Sequence, residues 1–440
     1  MAKKFVHWLY DELPELTEKG IISAESAQKL REHYGEVKVR SGRQLAIVLF
    51  SILGATLIGL GIILMFAHNW DKLTRPMKTV ISIAPLLIGQ ILSGATILRR
   101  KDSVAWREGT STFLMISIGA AIALISQTYH IAGDMGSFLM TWMLLSIPLV
   151  YLMNVTVPAI FYVGLLTLWT GYASFSGEHP ILYFAFAALI VPHLWIAMKE
   201  NRYGSRAVAM LWVLSISLCF STAFSLGRSA DMLWIINYSG IFAIMYIAAS
   251  YWFKEAPKGW QRPLEVVGGI GILVMTFILT YQFPWEGVAR GYSYARHHIV
   301  MTATESWLDV TATVLLIILP VISILAFRLY KTYRMIYMVL PLPAAAAYMI
   351  ANAAYDVSYP VILFNMYMAL LGVVTLVAGI RKENLGIVNA GMLILIVMIV
   401  ARFFDLELSF LVRGFAFVLC GIAFLMTNVI LLRRRKGGAQ

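Results

Sequence analysis

Charge is scarce in this chain: Asp, Glu, Lys and Arg make up 13% of its 440 residues, about half of the roughly 25% usual in soluble domains. That excludes a soluble fold of this length, because too few charges remain to cover a solvated surface. Cysteine is scarcer still. Cys219 and Cys420, the two present, both lie inside apolar runs, which excludes a disulfide framework and leaves no CxxC pair for zinc or redox chemistry. A nucleophile elbow, a phosphate-binding loop and a kinase-like motif set are also missing. The glycines of "VVGGIGILV" sit within an apolar run and not between a strand and a helix, so they form no dinucleotide fingerprint. No catalytic residue, metal site or cofactor follows from these motifs, and an enzyme is less expected than a transport or binding protein.

Long apolar runs fill the space that charge leaves. The chain is 60% hydrophobic with a mean hydropathy of +0.77. A helix needs about 20 apolar residues to cross a hydrocarbon core. Fourteen runs approach or exceed that length: 45–67, 79–98, 110–130, 137–153, 157–175, 180–198, 207–227, 232–253, 264–283, 307–327, 335–352, 358–380, 385–404 and 408–432. They are continuous rather than alternating, so they predict helices and not the strands of a barrel. The expected fold is an all-α polytopic transmembrane bundle of about 14 spans over residues 44–440, preceded by a cytoplasmic helical hairpin over residues 1–43.

The net charge of +12 does not predict nucleic-acid binding, because the basic residues are sorted by loop. With the N-terminus inside, 27 of the 35 Lys and Arg fall on the inner side. This positive-inside pattern predicts an even number of spans with both termini cytoplasmic, and the lipid bilayer as the first partner. Spans four and five are the least secured by charge, since their inner turn "MNVTV" carries none. The chain opens on a charged amphipathic stretch, so no cleavable signal peptide is expected.

In residues 1–43, Phe5, Leu9, Leu13 and Leu16 lie near one helical face, Gly20 is placed to stop that helix, and Ser23 to cap the next. The hairpin is either an interfacial anchor or a dock for a cytoplasmic protein partner.

Polar residues gather at the outer helix ends, where five of the eight histidines fall. In "AHNWDKL", His68, Trp70 and Asp71 follow span one: Trp70 suits an aromatic belt, and His68 a helix C-terminus. In "GAAIALISQTYHIAGD", Ala123, Gln127, His130 and Asp134 fall on one face if the helix continues that far. Gln127 and His130 would then line a cavity or relay protons, or else bond between helices. In "ARFFDLELSFLVRGF", Arg402 and the deeper Arg413 need carboxylates such as Asp405 and Glu407, or an anionic substrate. Arg290, Arg296, His297 and His298 interleave with tyrosines in the longest outer loop, as phosphate- or sugar-handling loops do. Ser306 and Asp309 have the spacing of a capping box opening span ten.

"KGIISAESAQKL", "AHNWDKL" and "SQTYHIAGD" together resemble the bacterial membrane proteins grouped as domain of unknown function 2157 (DUF2157), over residues 5–150. The tail "RFFDLELSFLVRGFAFVLCGIAFLMTNVILLRRR" is similar to that of longer members. The resemblance implies a bacterial inner membrane protein with many spans and carries no assigned substrate or catalytic residue. Three functions are expected in descending order. The first is a transporter or flippase handling a polar or anionic substrate, free or lipid-linked, at the outer face. The second is a scaffold or sensor, and the third an enzyme acting on a lipid-linked substrate.

Overall fold

A computed structural model describes residue 9 and residues 12–34, 70–177, 180–226, 233–253, 259–290, 303–354, 356–405, 418 and 421–422. The regular elements among the described residues are all helical. The chain divides into two compact units, Met1–Val80 and Ile81–Gln440.

In the first unit, residues 12–18 are helical and end at Gly20, whose φ of 66° is the left-handed conformation that glycine adopts without a Cβ clash. Ile21 N–H returns to the Leu16 carbonyl at 3.0 Å, which closes the helix. Helix α1 (Ala24–Tyr34) starts after Ser23, whose hydroxyl accepts from Ser26 N–H at 3.2 Å. Both punctuation residues act as their sequence positions predict.

The long helices follow as α2 (Arg75–Arg99), α3 (Val104–Tyr129), α4 (Met135–Met153), α5 (Val157–Phe175), α6 (Tyr183–Ala188), α7 (Val191–Asn201), α8 (Ser205–Ser225) and α9 (Trp234–Trp252). After these come α10 (Pro263–Ile278), α11 (Phe283–Arg290), α12 (Ala303–Ala326), α13 (Met335–Met338), α14 (Pro341–Ala354), α15 (Ser358–Arg381) and α16 (Leu385–Asp405). Among the described residues, nine helices are long and apolar enough to cross a membrane, and α10 with α11 forms a tenth candidate bent by 73°. The runs 45–67 and 408–432 lie essentially outside the described residues. Because α12 begins at Ala303, Ser306 and Asp309 lie within the helix and do not open it as a capping box.

Runs 180–198 and 335–352 are not the continuous helices that their hydropathy predicts. Each is broken, between α6 and α7 and between α13 and α14. Proline contributes to both breaks: Pro192 is the second residue of α7 and Pro341 the first of α14, positions where a missing N–H costs nothing.

Buried side chains form two main cores. Residues of α3–α8 build one, with Tyr162, Leu166 and Tyr183 at its centre. Residues of α9–α16 build the other, around Trp285, Phe364 and Leu371. Helix α8 packs on α9 and α10, and Tyr238 O–H donates to the Cys219 carbonyl there at 2.6 Å. Where α15 crosses α16, a Cβ on Gly391 would stand 2.5 Å from Leu376 N, so this crossing needs a small residue, as close helix packing in lipid generally does. Large apolar side chains such as Ile91, Leu98, Ile322 and Met366 point outward, exposed, as a lipid-facing surface requires.

Candidate functional site

A broken helix in a membrane frees carbonyl groups that water cannot satisfy, so side chains must. At the α6/α7 break, Tyr162 O–H donates to the Phe186 carbonyl at 2.9 Å and Tyr151 O–H to the Leu189 carbonyl. At the α13/α14 break, Tyr367 O–H donates to the Ile336 carbonyl. The α10/α11 bend recruits the most donors. Trp285 Nε1–H, fully buried, donates to the Leu279 carbonyl at 2.9 Å. Asn365 Nδ2 donates to the Thr280 carbonyl at 3.1 Å, and Arg402 Nη2 donates to the same carbonyl at 2.8 Å and to Thr280 Oγ1 at 2.7 Å. The Arg402 guanidinium also stacks 4.6 Å from the Tyr281 ring centroid. Arg402, expected either to pair with a carboxylate or to bind an anion, thus holds the open C-terminal end of α10, where the helix dipole favours a cation.

The α3–α4 connection carries the other outer-end candidates. Helix α3 stops at Tyr129, and His130 turns left-handed with φ 54°, its N–H returning to the Ser126 carbonyl. The predicted polar face therefore ends at Gln127, and His130 and Asp134 do not extend it. Asp134 caps α4, accepting from Ser137 N–H at 2.7 Å and Ser137 O–H at 2.6 Å. These donors, the hydroxyl first, hold its carboxyl below the ordinary 3.8. Gln127, His130 and Asp134 are all exposed. Gln127 and Asp134 line a shallow hollow of about 520 Å³ with Ala123, Ser126 and Ser137.

In the first unit, Trp70 and Asp71 belong to a 3-10 turn, Trp70–Lys72. The Lys78 ammonium stands 5.7 Å from the Trp70 ring centroid, an anchor-like pairing. His68, Arg296, His297, His298 and Arg413 lie outside the described residues, as do the side chains of Asp71, Arg290 and Asp405.

Sequence reasoning missed the dense polar network at the basic end of the first core. Arg107 and Glu108, adjacent near the start of α3, grip the α4–α5 turn from both sides. Arg107 Nη1 donates to the Met153 and Asn154 carbonyls at 3.1 and 3.4 Å, at the negative end of α4. The Glu108 carboxylate accepts from Thr156 N–H at 2.7 Å and Val157 N–H at 2.9 Å, at the positive end of α5. Each charge meets the helix terminus of opposite sign. His193 on α7, 1% exposed, has Nε2 2.8 Å from the Val155 carbonyl. A carbonyl only accepts, so Nε2 carries the proton. Arg206 Nη2, 3.3 Å from that same nitrogen, is therefore its packing neighbour and not its donor. Arg206 instead donates to Asn154 Oδ1 and pairs with Glu200 at 3.1 Å.

This turn and its gripping residues on α3 fall in the part of the chain that family comparison recognises. Residues 14–159 are a DUF2157 match. The family is described as a predicted membrane protein, and the match spans about a third of the chain. The DUF2157 segment thus runs from the hairpin through α2, α3 and α4 to the first residues of α5, and stops before residues 402–435. Neither the curated proteins nor the solved structures compared include a match to the chain. Among its described residues the DUF2157 segment holds three helices long enough to span a membrane, the Arg107–Glu108 grip and the hollow beside Gln127. The second core, with its two broken helices, lies beyond it.

Proposed function

We propose that the protein carries a polar or anionic solute, free or lipid-linked, across a bacterial inner membrane. Both termini are cytoplasmic, and the solute is engaged near the helix ends opposite the basic loops. The observation that carries this reading is the α10/α11 bend, a 73° break in a candidate membrane span whose freed Thr280 carbonyl is held by Arg402 and Asn365. Discontinuous helices are how many transporters place backbone polar groups and helix dipoles at a solute within the bilayer. A straight span buries all such groups and can only pack. The α13/α14 break in the same core supports the reading, because two interrupted elements can shift against continuous α9 and α15.

A second reading is a scaffold that binds a cytoplasmic partner through residues 1–43. It draws on a groove of about 770 Å³ lined by Leu13, Pro14, Thr17, Ala24 and Gln28. One experiment separates the two. Asn365→Cys is made in a full-length background with Cys219 and Cys420 replaced, then treated with a membrane-impermeant maleimide in right-side-out and inside-out vesicles. Transport expects labelling from both sides, because access to the bend alternates. Labelling from one side only, or from neither, overturns it in favour of the scaffold.

A further inference from the structure

Helices α2 and α3 meet on small residues. Gly89, where a Cβ would stand 3.1 Å from the Leu114 backbone, and the buried Ser93 and Thr96 follow one another at four and three residues and so share one face of α2. Ser93 Oγ donates to the Thr110 carbonyl at 3.3 Å, which seats that face on α3. Beside this seam α3 carries almost no side chain at Ala105 and Gly109, while Trp106 and Phe113 stand up next to them, 48% and 41% exposed. The result is an open hollow of about 290 Å³ lined by Leu92, Ala105, Trp106, Gly109, Thr110 and Phe113. It is separate from the α10/α11 bend and from the hollow beside Gln127.

The lining offers nothing to a polar solute. Thr110 is its one polar side chain, and the Thr110 hydroxyl donates to the Trp106 carbonyl at 2.8 Å, which spends its single hydrogen. Water needs two or more polar partners to occupy such a space. From Ala105 to Phe113 the hollow follows α3 for eight residues, about 12 Å at 1.5 Å per residue, a length that suits an extended apolar chain.

Charge gathers at the Ala105–Trp106 end. Arg100, the residue after α2, holds its guanidinium carbon 5.9 Å from the Trp106 ring centroid, so a cation stacks on a wall of the hollow. The turn exposes Arg99, Arg100 and Lys101 beside the single carboxylate of Asp102, and among the described residues no carboxylate pairs with any of the three cations. Glu108, the next acid along, is committed to the Thr156 and Val157 N–H groups. An apolar trough with cations at its mouth has the outline of an anionic amphiphile.

We propose that this hollow binds one anionic phospholipid, with an acyl chain lying against Gly109 and the phosphate meeting Arg100. Basic pockets between membrane helices hold anionic headgroups in this way. A zwitterionic lipid fills the trough equally well but brings an ammonium of its own towards the cations, so headgroup charge sets the preference. The site depends neither on the transport reading nor on which leaflet the basic loops face.

The test uses purified, delipidated full-length protein in detergent, titrated with phosphatidylglycerol or phosphatidylcholine of the same acyl chains and read by native mass spectrometry. One phosphatidylglycerol retained per chain, in preference to phosphatidylcholine, is expected. Arg100→Gln should weaken that retention about fivefold, the contribution of one cation near a membrane surface. Lys199→Gln is the charge-matched control, because Lys199 stands 5.7 Å from the Trp195 ring centroid in the same kind of contact on α7; it should leave retention unchanged. Gly109→Leu fills the hollow. Among the described residues nothing lies within 4 Å of a Cβ there, so this variant should melt no lower than the wild type and still lose the lipid. If Gly109→Leu is not monodisperse, the comparison of Arg100→Gln with Lys199→Gln carries the test. Equal retention of the two lipids, equal losses in Arg100→Gln and Lys199→Gln, or wild-type retention in a folded Gly109→Leu would each overturn the proposal. So would a lipid-free mass of two chains that Gly109→Leu reduces to one, which would give the hollow to a second copy.

Discussion

Glu108→Ala is expected to lower the melting temperature of the full-length protein in detergent by several degrees. The lost carboxylate accepts two backbone N–H groups, from Thr156 and Val157 at 2.7 and 2.9 Å. Bonds to a charged group are worth about 1.5–3 kcal/mol each. Glu108 is half-buried, so solvent screening holds the value to the lower end, and losing both costs about 3 kcal/mol. The slope is about 2–4 °C per kcal/mol for 150–250 residues and shallower for a longer chain, which gives a drop of about 3–6 °C. Glu108→Gln keeps one acceptor oxygen and should lose about half as much. Glu25→Ala is the matched control. That carboxylate is 78% exposed and pairs with Lys29 on its own helix, an arrangement worth about 0.3–0.5 kcal/mol, so its melt should overlay the wild type. The assay is a thermal melt read by the fraction remaining monodisperse on gel filtration. If Glu108→Ala melts with Glu25→Ala, the carboxylate does not hold the α4–α5 turn and the electrostatic argument fails.

In the same assay, Arg402→Lys should cost about 1–3 kcal/mol, because an ammonium cannot keep the planar stacking on Tyr281 while reaching both Thr280 oxygens. Thr280→Val, which removes the hydroxyl and leaves the carbonyl, should cost less. Gly391→Ala should destabilise by about 1–3 kcal/mol through overpacking against the α15 backbone. Gly94→Ala, with nothing among the described residues within 4 Å of the new methyl, should be neutral or slightly stabilising; equal melts for the two would refute the close crossing. The Asp134 carboxyl titrates below its ordinary 3.8 because the folded state supplies Ser137 donors. Its cap is therefore present in full above that value and lost as pH falls through the lowered one. Hydrogen exchange of the Ser137 amide, corrected for intrinsic rate, should show a step in that acid range that Asp134→Asn abolishes.

Much of the bundle was legible because hydropathy over twenty residues measures what lipid demands of a helix. Hydropathy does not record the path of the backbone within an apolar run. "ILYFAFAALIVPHLWIAM" breaks before Val191-Pro192, and "MIYMVLPLPAAAAYMI" breaks before Pro341, while Pro85, Pro148 and Pro320 sit inside unbroken helices. What distinguishes the breaks is supplied from elsewhere in the chain, by tyrosines 24 to 38 residues distant from the carbonyls they cap. The uncharged turn "MNVTV" looked weakly fixed for the same reason: its charges come from Arg107, Glu108 and Arg206, 46 to 52 residues away. Asp309 stood among many acidic residues at outer ends. Its distinction, complete burial, depends on how α12 packs on α9 and is not written in its own run.

The grip on the α4–α5 turn also bears on how the chain enters the membrane. Arg107 and Glu108 leave the ribosome before the hairpin they hold, whereas Arg206 follows it. A hairpin with no charge in its own turn has nothing of its own to decide which way it points. Its orientation is instead inherited from α3, whose N-terminal residues present a cation to one helix end and an anion to the other. α3 acts as a template for its successor, and a topological error at α3 would pass directly to α4 and α5.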